Sequence, residues 1–196
     1  MKAVEIPYKK TNQFSKLVID YINKDKKIAP FINHFPTLEN FEEQIIEKQN
    51  HNINRSLLVK VIQQQNANFL LSEETKNNID FLLNKDAFTV TTGHQLCLFT
   101  GPLYFIYKII STIKLSQQLK ERYPKNNFVP VFWMATEDHD FKEVNHINLF
   151  GKKIVWDSNQ SGAVGHMKLE GIQKVLDELK VVFGESKNVQ QLIQLF

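Results

Sequence analysis

A single cysteine, Cys97, stands among 196 residues. Neither an intramolecular disulfide framework nor a cysteine-based zinc site can be built from it. No apolar run approaches the roughly 18 residues that a membrane-spanning helix needs, and the opening segment MKAVEIPYKK has no apolar stretch of the signal-peptide kind. Excess charge of one sign is missing too. Against 24 Lys and Arg stand 21 Asp and Glu, a formal net charge of +3, with no long block of like charges. Gripping a phosphate backbone takes a basic stripe on one face, which this scatter of lysines does not supply. Nucleic-acid and membrane partners are therefore not expected, and a reducing, cytoplasmic location is. Internal repeats and low-complexity tracts are also absent, as are the Gly-Lys-Ser/Thr of a Walker A loop and the GxGxxG of a dinucleotide fold.

What is present suits a globular protein with a sizeable core. Hydrophobic residues make up 42% and Phe alone contributes 15. The first third is helical by period. Thr11 is placed to cap a helix to about Asn23, with Phe14, Leu17, Val18, Tyr21 and Ile22 on one stripe. Pro30 and Pro36 interrupt; Thr37 then caps a helix carrying Leu38, Phe41, Ile45 and Ile46. A third helix is expected over 54–66 and a fourth from Ser72 to Leu83, its first turn acidic at Glu73 and Glu74.

At Ala87 the period changes. The stretch from Ala87 to Thr92 is β-branched and short, hence a strand, which Gly93 is expected to end. Pro102 sits at a first helical position, and Leu103, Ile106, Tyr107, Ile110 and Ile113 form the stripe of the helix it opens. Phe128 to Ala135 is nearly continuous apolar, as a strand covered on both faces should be. Strand, helix and strand at this spacing predict a right-handed βαβ unit. Short strands follow at 147–150 and 153–156 around Gly151, then a helix from Gly171 to Phe183. A last amphipathic stretch, 188–196, stops on an uncapped apolar face, so a piece of a longer protein is expected. The expected division is a helical segment, 1–84, packed on an α/β core that begins at 85 and runs to 196.

Both strands of the βαβ unit empty into polar loops, and open α/β sheets bind ligands beyond the carboxyl ends of their strands. In the first loop Gly93 allows a sharp turn, His94 and Gln95 project above the sheet, and Thr100 and Gly101 lie at a helix start, where free N–H groups suit a phosphate or carboxylate. A tight turn before a Pro-started helix reads equally well. The second loop crowds Glu137, Asp138, His139 and Asp140 directly after an apolar strand, with Asn145 and His146 close behind. Carboxylates beside a histidine favour its charged form, which suits acid/base work. A functional polar loop without metal, a metal site from Asp138, His139, Asp140 and His146, and plain structural capping all remain open. Cys97, between Leu96 and Leu98, reads as a buried, inert thiol, and His34, His51 and His166 as structural or surface histidines.

Taken together, TTGHQ (91–95), LFTGPLY (98–104), Lys108, PVFWMATEDHDF (130–141) and EVNH (143–146) resemble the bacillithiol biosynthesis cysteine-adding enzymes, the cysteine ligases. The likeness covers about 85–170 and, more loosely, the helical N-terminus. Many relatives read Gly-Gln-Gln in the first loop, so His94 departs from the pattern. The resemblance implies a Rossmann-like, nucleotidyltransferase-type α/β core, incomplete here at its C-terminus, in a longer chain that forms homodimers through a coiled coil. It implies amide-bond formation between L-cysteine and glucosaminyl malate through an activated carboxyl, with ATP as the natural activator and no metal. It also implies roles: Glu137, Asp138, His139 and Asp140 in catalysis, and Gly93, His94, Gln95, Thr100, Gly101, Tyr104, Asn145 and His146 in substrate binding. Competing classes are a nucleotide- or sugar-binding module without catalysis, an assembly domain, and a metal-dependent hydrolase on a similar frame.

Overall fold

Ser15, not Thr11, starts the main helix of the first segment. In the computed structural model, which describes residues 4–196, the first turn α1 (Tyr8–Thr11) closes with the Thr11 hydroxyl donating to the Tyr8 carbonyl at 2.8 Å. Asn12, at φ 54°, breaks the chain there, and Ser15 Oγ accepts the Val18 N–H to begin α2 (Lys16–Ile22). Likewise α3 (Phe41–Gln49) starts after Thr37, whose hydroxyl accepts the Asn40 N–H in the turn ahead of it. Of the expected stripes, Ile45 is buried with Ile28, while Phe14, Leu17, Val18, Tyr21 and Ile22 are exposed. His34 is a clamp: its ring meets Glu43 and Glu47 at 3.0 and 2.8 Å, and Asn33 donates to Glu47 as well.

The described chain divides into two compact units, Met1–Asn54 and Arg55–Phe196. Contacts therefore part before α4 (Arg55–Gln65) and α5 (Glu73–Phe81), upstream of the boundary expected at 84, and residues 1–3 of that expected segment lie outside the described residues. The reason is packing. Val59, Ile79 and Leu82 bury with Val129 of the sheet, and the Arg55 guanidinium donates to the carbonyls of Leu82 and Ala87 at 3.0 Å each. Ser72 caps α5 as its sequence suggests, accepting the Thr75 N–H at 3.2 Å.

β1 (Ala87–Gln95), α6 (Leu103–Arg122) and β2 (Asn127–Ala135) form the expected βαβ unit, the two strands parallel and in register from Ala87↔Asn127 to Gln95↔Ala135. Gly93 does not end β1. It pairs with Trp133, and a Cβ there would come within 3.0 Å of the Trp133 carbonyl oxygen, so the strand keeps a glycine in order to continue. Successive side chains of a strand point to opposite faces. Val129 and Val131 meet α4 and α5, while Phe132 meets Phe105 of α6 edge to face at 5.4 Å, so helices cover both faces. That cover stops short of the carboxyl end, where Trp133 and Met134 are 61% and 58% exposed.

α6 turns a different face inward from the one expected. Leu103, Tyr107, Ile110 and Ile113 are exposed, and the buried residues are Thr112, Ser116 and Leu119. Small hydroxyl residues let the helix lie close to the sheet, and each satisfies itself on the carbonyl one turn back: Thr112 on Lys108 at 2.8 Å, Ser116 on Thr112 at 2.9 Å. At its far end Lys120 donates to Pro124 O, Asn126 O and Asn127 Oδ1, clasping the turn into β2.

After a helical turn, α7 (Phe141–Val144), come β3 (His146–Leu149) and β4 (Lys152–Val155), antiparallel and one residue earlier than expected. Phe150 and Gly151, both at positive φ, make the two-residue turn between them. Helices α8 (Ile172–Phe183) and α9 (Lys187–Ile193) follow, and Ile154, Trp156, Val175 and Leu179 form a second buried cluster. Among the described residues no helix is long and apolar enough to cross a membrane.

Candidate functional site at the strand ends

Because β1 and β2 are parallel and in register, their carboxyl ends, Gln95 and Ala135, lie side by side, and the two polar loops leave the sheet together. The first loop is conformationally unusual. Phe99, Thr100 and Gly101 follow one another at φ 47°, 68° and 59°, around a short 3₁₀ turn over Leu98–Thr100. Two of these are not glycines, a strain of the kind that collects at functional loops. Gly101 has no substitute in this geometry, since a Cβ would sit 2.5 Å from Cys97 Cβ. Pro102 takes the capping position rather than the first helical one, and α6 begins at Leu103. The Thr100 hydroxyl is exposed and bonds to no described residue, so it stands free at that helix start.

His94 is fixed by both ring nitrogens. Nε2 lies 2.8 Å from the Tyr104 hydroxyl; Nδ1 lies 3.1 Å from the Gln95 carbonyl and 3.4 Å from Cys97 Sγ. A proton on Nδ1, with Nε2 accepting from Tyr104, satisfies these contacts together. Burial pushes the Cys97 thiol up, and the carboxylates of Asp138 and Glu143 push it further. A protonated thiol beside an engaged histidine is a poor nucleophile.

In the second loop Asp138 is half-buried, whereas Glu137, His139 and Asp140 are exposed. Asp138 Oδ1 accepts from the Asp140 backbone N–H at 2.8 Å and from Gln95 Nε2 at 3.3 Å. The same Gln95 nitrogen donates to Glu143 Oε2 at 3.1 Å. The expected pairing of His139 with its flanking carboxylates is not formed: among the described residues its ring makes no ion pair and no hydrogen bond, because Asp138 is turned toward Gln95. A third segment holds the loop from outside. Val164 N–H donates to the Asp138 carbonyl at 2.8 Å and Gly165 N–H to the Thr136 carbonyl at 2.9 Å. Gly165 is needed there, since a Cβ would fall 2.5 Å from Thr136 Cβ.

Asn145 and His146 share no hydrogen bond with Gln95, Asp138 or Glu143. Asn145 Nδ2 donates to the Trp156 carbonyl at 3.0 Å, its own carbonyl accepts the Trp156 N–H, and its Oδ1 meets His146 Nδ1 at 3.2 Å. Those contacts fasten the β3–β4 hairpin to α7. Beside the strand ends opens a cavity of about 520 Å³. Its walls are mostly apolar, including Phe99, Phe132, Met134 and Trp156, and Gln95 and Thr100 are the expected site residues that line it. Among the described residues, no group of three or more His, Cys, Asp or Glu is placed to hold a metal ion.

Three participants carry no role in the sequence reading, although Lys108 and Glu143 belong to the segments that carry the family resemblance. Glu143 sits one helical turn past Asp140, a spacing that brings it back over the loop. Lys108, half-buried on α6, donates to the Gly93 carbonyl under the end of β1, and Gly165 lies far along the chain from the loop it clasps.

A parallel βαβ unit with helices on both faces and polar loops converging at the strand ends defines a Rossmann-like α/β domain. The chain belongs to a named family of such domains: the model for "Bacillithiol biosynthesis BshC, N-terminal Rossmann-like domain" matches residues 1–196. It is 50% identical over 193 residues to a Flavobacterium johnsoniae protein named "Putative cysteine ligase BshC", covering 97% of this chain and 36% of that one. A protein of the same name in Flavobacterium psychrophilum is 48% identical over 195 residues, covering 97% and 36%. A Bacillus cytotoxicus protein, again of that name, is 31% identical over 189 residues, covering 91% and 35%. The chain thus spans about a third of the length of the curated relatives it matches.

Proposed function

We propose that the protein carrying this domain is a ligase of bacillithiol biosynthesis, joining the carboxyl carbon of L-cysteine to the amino nitrogen of glucosaminyl malate. In that step a C–N amide bond forms, one carboxyl oxygen departs with the activating group, and the attacking amine loses a proton. The observation that carries the reading is the meeting of the two polar loops through Gln95, Asp138 and Glu143 beside a cavity of about 520 Å³. Relatives named as cysteine ligases supply the chemistry.

Amide formation from a free carboxylate is uphill, so an activated acyl group is required, and ATP is the proposed source, on a nucleotidyltransferase-type core. The residues suit an anionic group: the free Thr100 hydroxyl and the amino end of α6 offer donors and a partial positive charge. These would hold a phosphate or the malate carboxylates. His139, exposed and unpaired, would stabilise negative charge or take the amine proton, with Glu137 recognising an amine and Asp138 and Asp140 completing the loop. Tyr104 and His94, bonded to each other, would contribute to substrate binding from the first loop. Asn145 and His146 support the site indirectly, through the hairpin they fasten. Homodimerisation through a coiled coil and a cytoplasmic location complete the proposal.

The test is mass spectrometry of reactions containing glucosaminyl malate, L-cysteine and ATP, run with the full-length protein and its His139→Ala form. A cysteine-bearing thiol product is expected, with turnover lower in the variant by about 10²–10⁴-fold. Undiminished turnover in His139→Ala would remove His139 from the chemistry, and absence of product from the folded wild type would remove the ligase reading.

A further inference from the structure

Gln95 does not offer its amide nitrogen to the cavity it lines. That nitrogen is engaged twice, by Asp138 Oδ1 at 3.3 Å and by Glu143 Oε2 at 3.1 Å. Two carboxylates drawn to one point repel each other, and a primary amide, with two N–H donors and no charge, is a group that holds both. Asp138 Oδ1 also accepts the Asp140 N–H, and the Asp138 carbonyl accepts the Val164 N–H, each at 2.8 Å. The peptides flanking His139 are therefore held on both sides, while its ring stays exposed and without a described partner. The direction of that ring depends on the backbone beneath it, and the backbone depends on Asp138.

We propose that Gln95 is a positioning residue, not a substrate ligand: it acts through Asp138 and Glu143 to fix the second loop and thereby the presentation of His139. The first loop thus governs the second across the parallel strand pair. This rests on the assignment of chemistry to the second loop made above.

Two variants of the full-length protein test it. Gln95→Met keeps length and removes the donors. It is expected to lower kcat by about 10- to 100-fold, the scale of a slight misplacement of a reacting group, with KM for both substrates nearly unchanged. Added to His139→Ala it should cost little more, since residues acting as one unit are not additive. Gln95→Glu places a third carboxylate against the other two and should be inactive at neutral pH. It should recover in part as pH falls, because a protonated Glu has one O–H to donate to one of them; a damaged fold would not recover. Independently of turnover, the rate at which diethyl pyrocarbonate modifies His139, located by peptide mass mapping, should change several-fold in Gln95→Met. A raised KM with unchanged kcat, or full additivity with His139→Ala, overturns the proposal. If the wild type makes no product the ligase reading fails instead, and the modification rate decides alone: a changed rate upholds the positioning role and an unchanged one overturns it.

Discussion

At the scale of single residues, the site is governed by which polar groups are already engaged. Cys97 shows this most directly. Burial, then Asp138 and Glu143, hold its thiol above the ordinary range. Iodoacetamide should therefore alkylate it more slowly than free cysteine at neutral pH, and faster in Asp138→Asn, where one repelling charge is gone; mass spectrometry of the modified peptide gives both rates. The same shift has a sign for stability. A raised folded pKa favours the protonated thiol, so its contribution is complete below the unfolded thiol pKa and lost as pH rises through the folded one. The sequence states the residue types of the site, since EDHD after an apolar strand is visible in one line. It does not state their partners. Tyr104 on α6 reaching His94 on β1, and Gln95 bridging two carboxylates, depend on strand register and helix placement, which no local pattern encodes.

At the scale of elements, the order strand, helix, strand is legible from the change in period, and so are the Ser72 cap and the pair of short strands around Gly151. Less legible is which face of α6 meets the sheet. The apolar stripe at Leu103, Tyr107, Ile110 and Ile113 is the stronger signal, yet Thr112 and Ser116 go inward because their hydroxyls bond within the helix and their small volume permits close approach. Gly93 misleads in the same way: a turn residue by habit, it is a strand residue because Trp133 lies against it. Glycines can be ranked on this basis. Gly101→Ala meets both a positive φ and Cys97 Cβ at 2.5 Å, and should cost about 2–5 kcal/mol in urea unfolding. Gly171→Ala, at φ 77° in the left-handed region and in open space, should cost only about 1–2 kcal/mol. Equal costs would mean the contact with Cys97 is relieved by movement of the first loop.

At the scale of the whole molecule, contacts part at Asn54 and not near residue 84, because α4 and α5 bury their apolar residues on β2. The second unit carries two cores, one around Val59 and Val129 beneath the sheet, the other around Trp156 and Leu179. Leu179, with no exposed surface, should cost about 2–5 kcal/mol when replaced by Ala. Val181, 80% exposed on the same helix, should cost almost nothing. Equilibrium denaturation of both variants checks the contrast. The Lys120 clasp carries a further consequence, a mechanical one. It pins the distal end of the crossover helix, while the proximal end, beyond a bend of rare backbone angles at Phe99, Thr100 and Gly101, is tied by Tyr104 to His94 and by Lys108 to the Gly93 carbonyl. The crossover helix is thus a strut fastened to the strands at both ends.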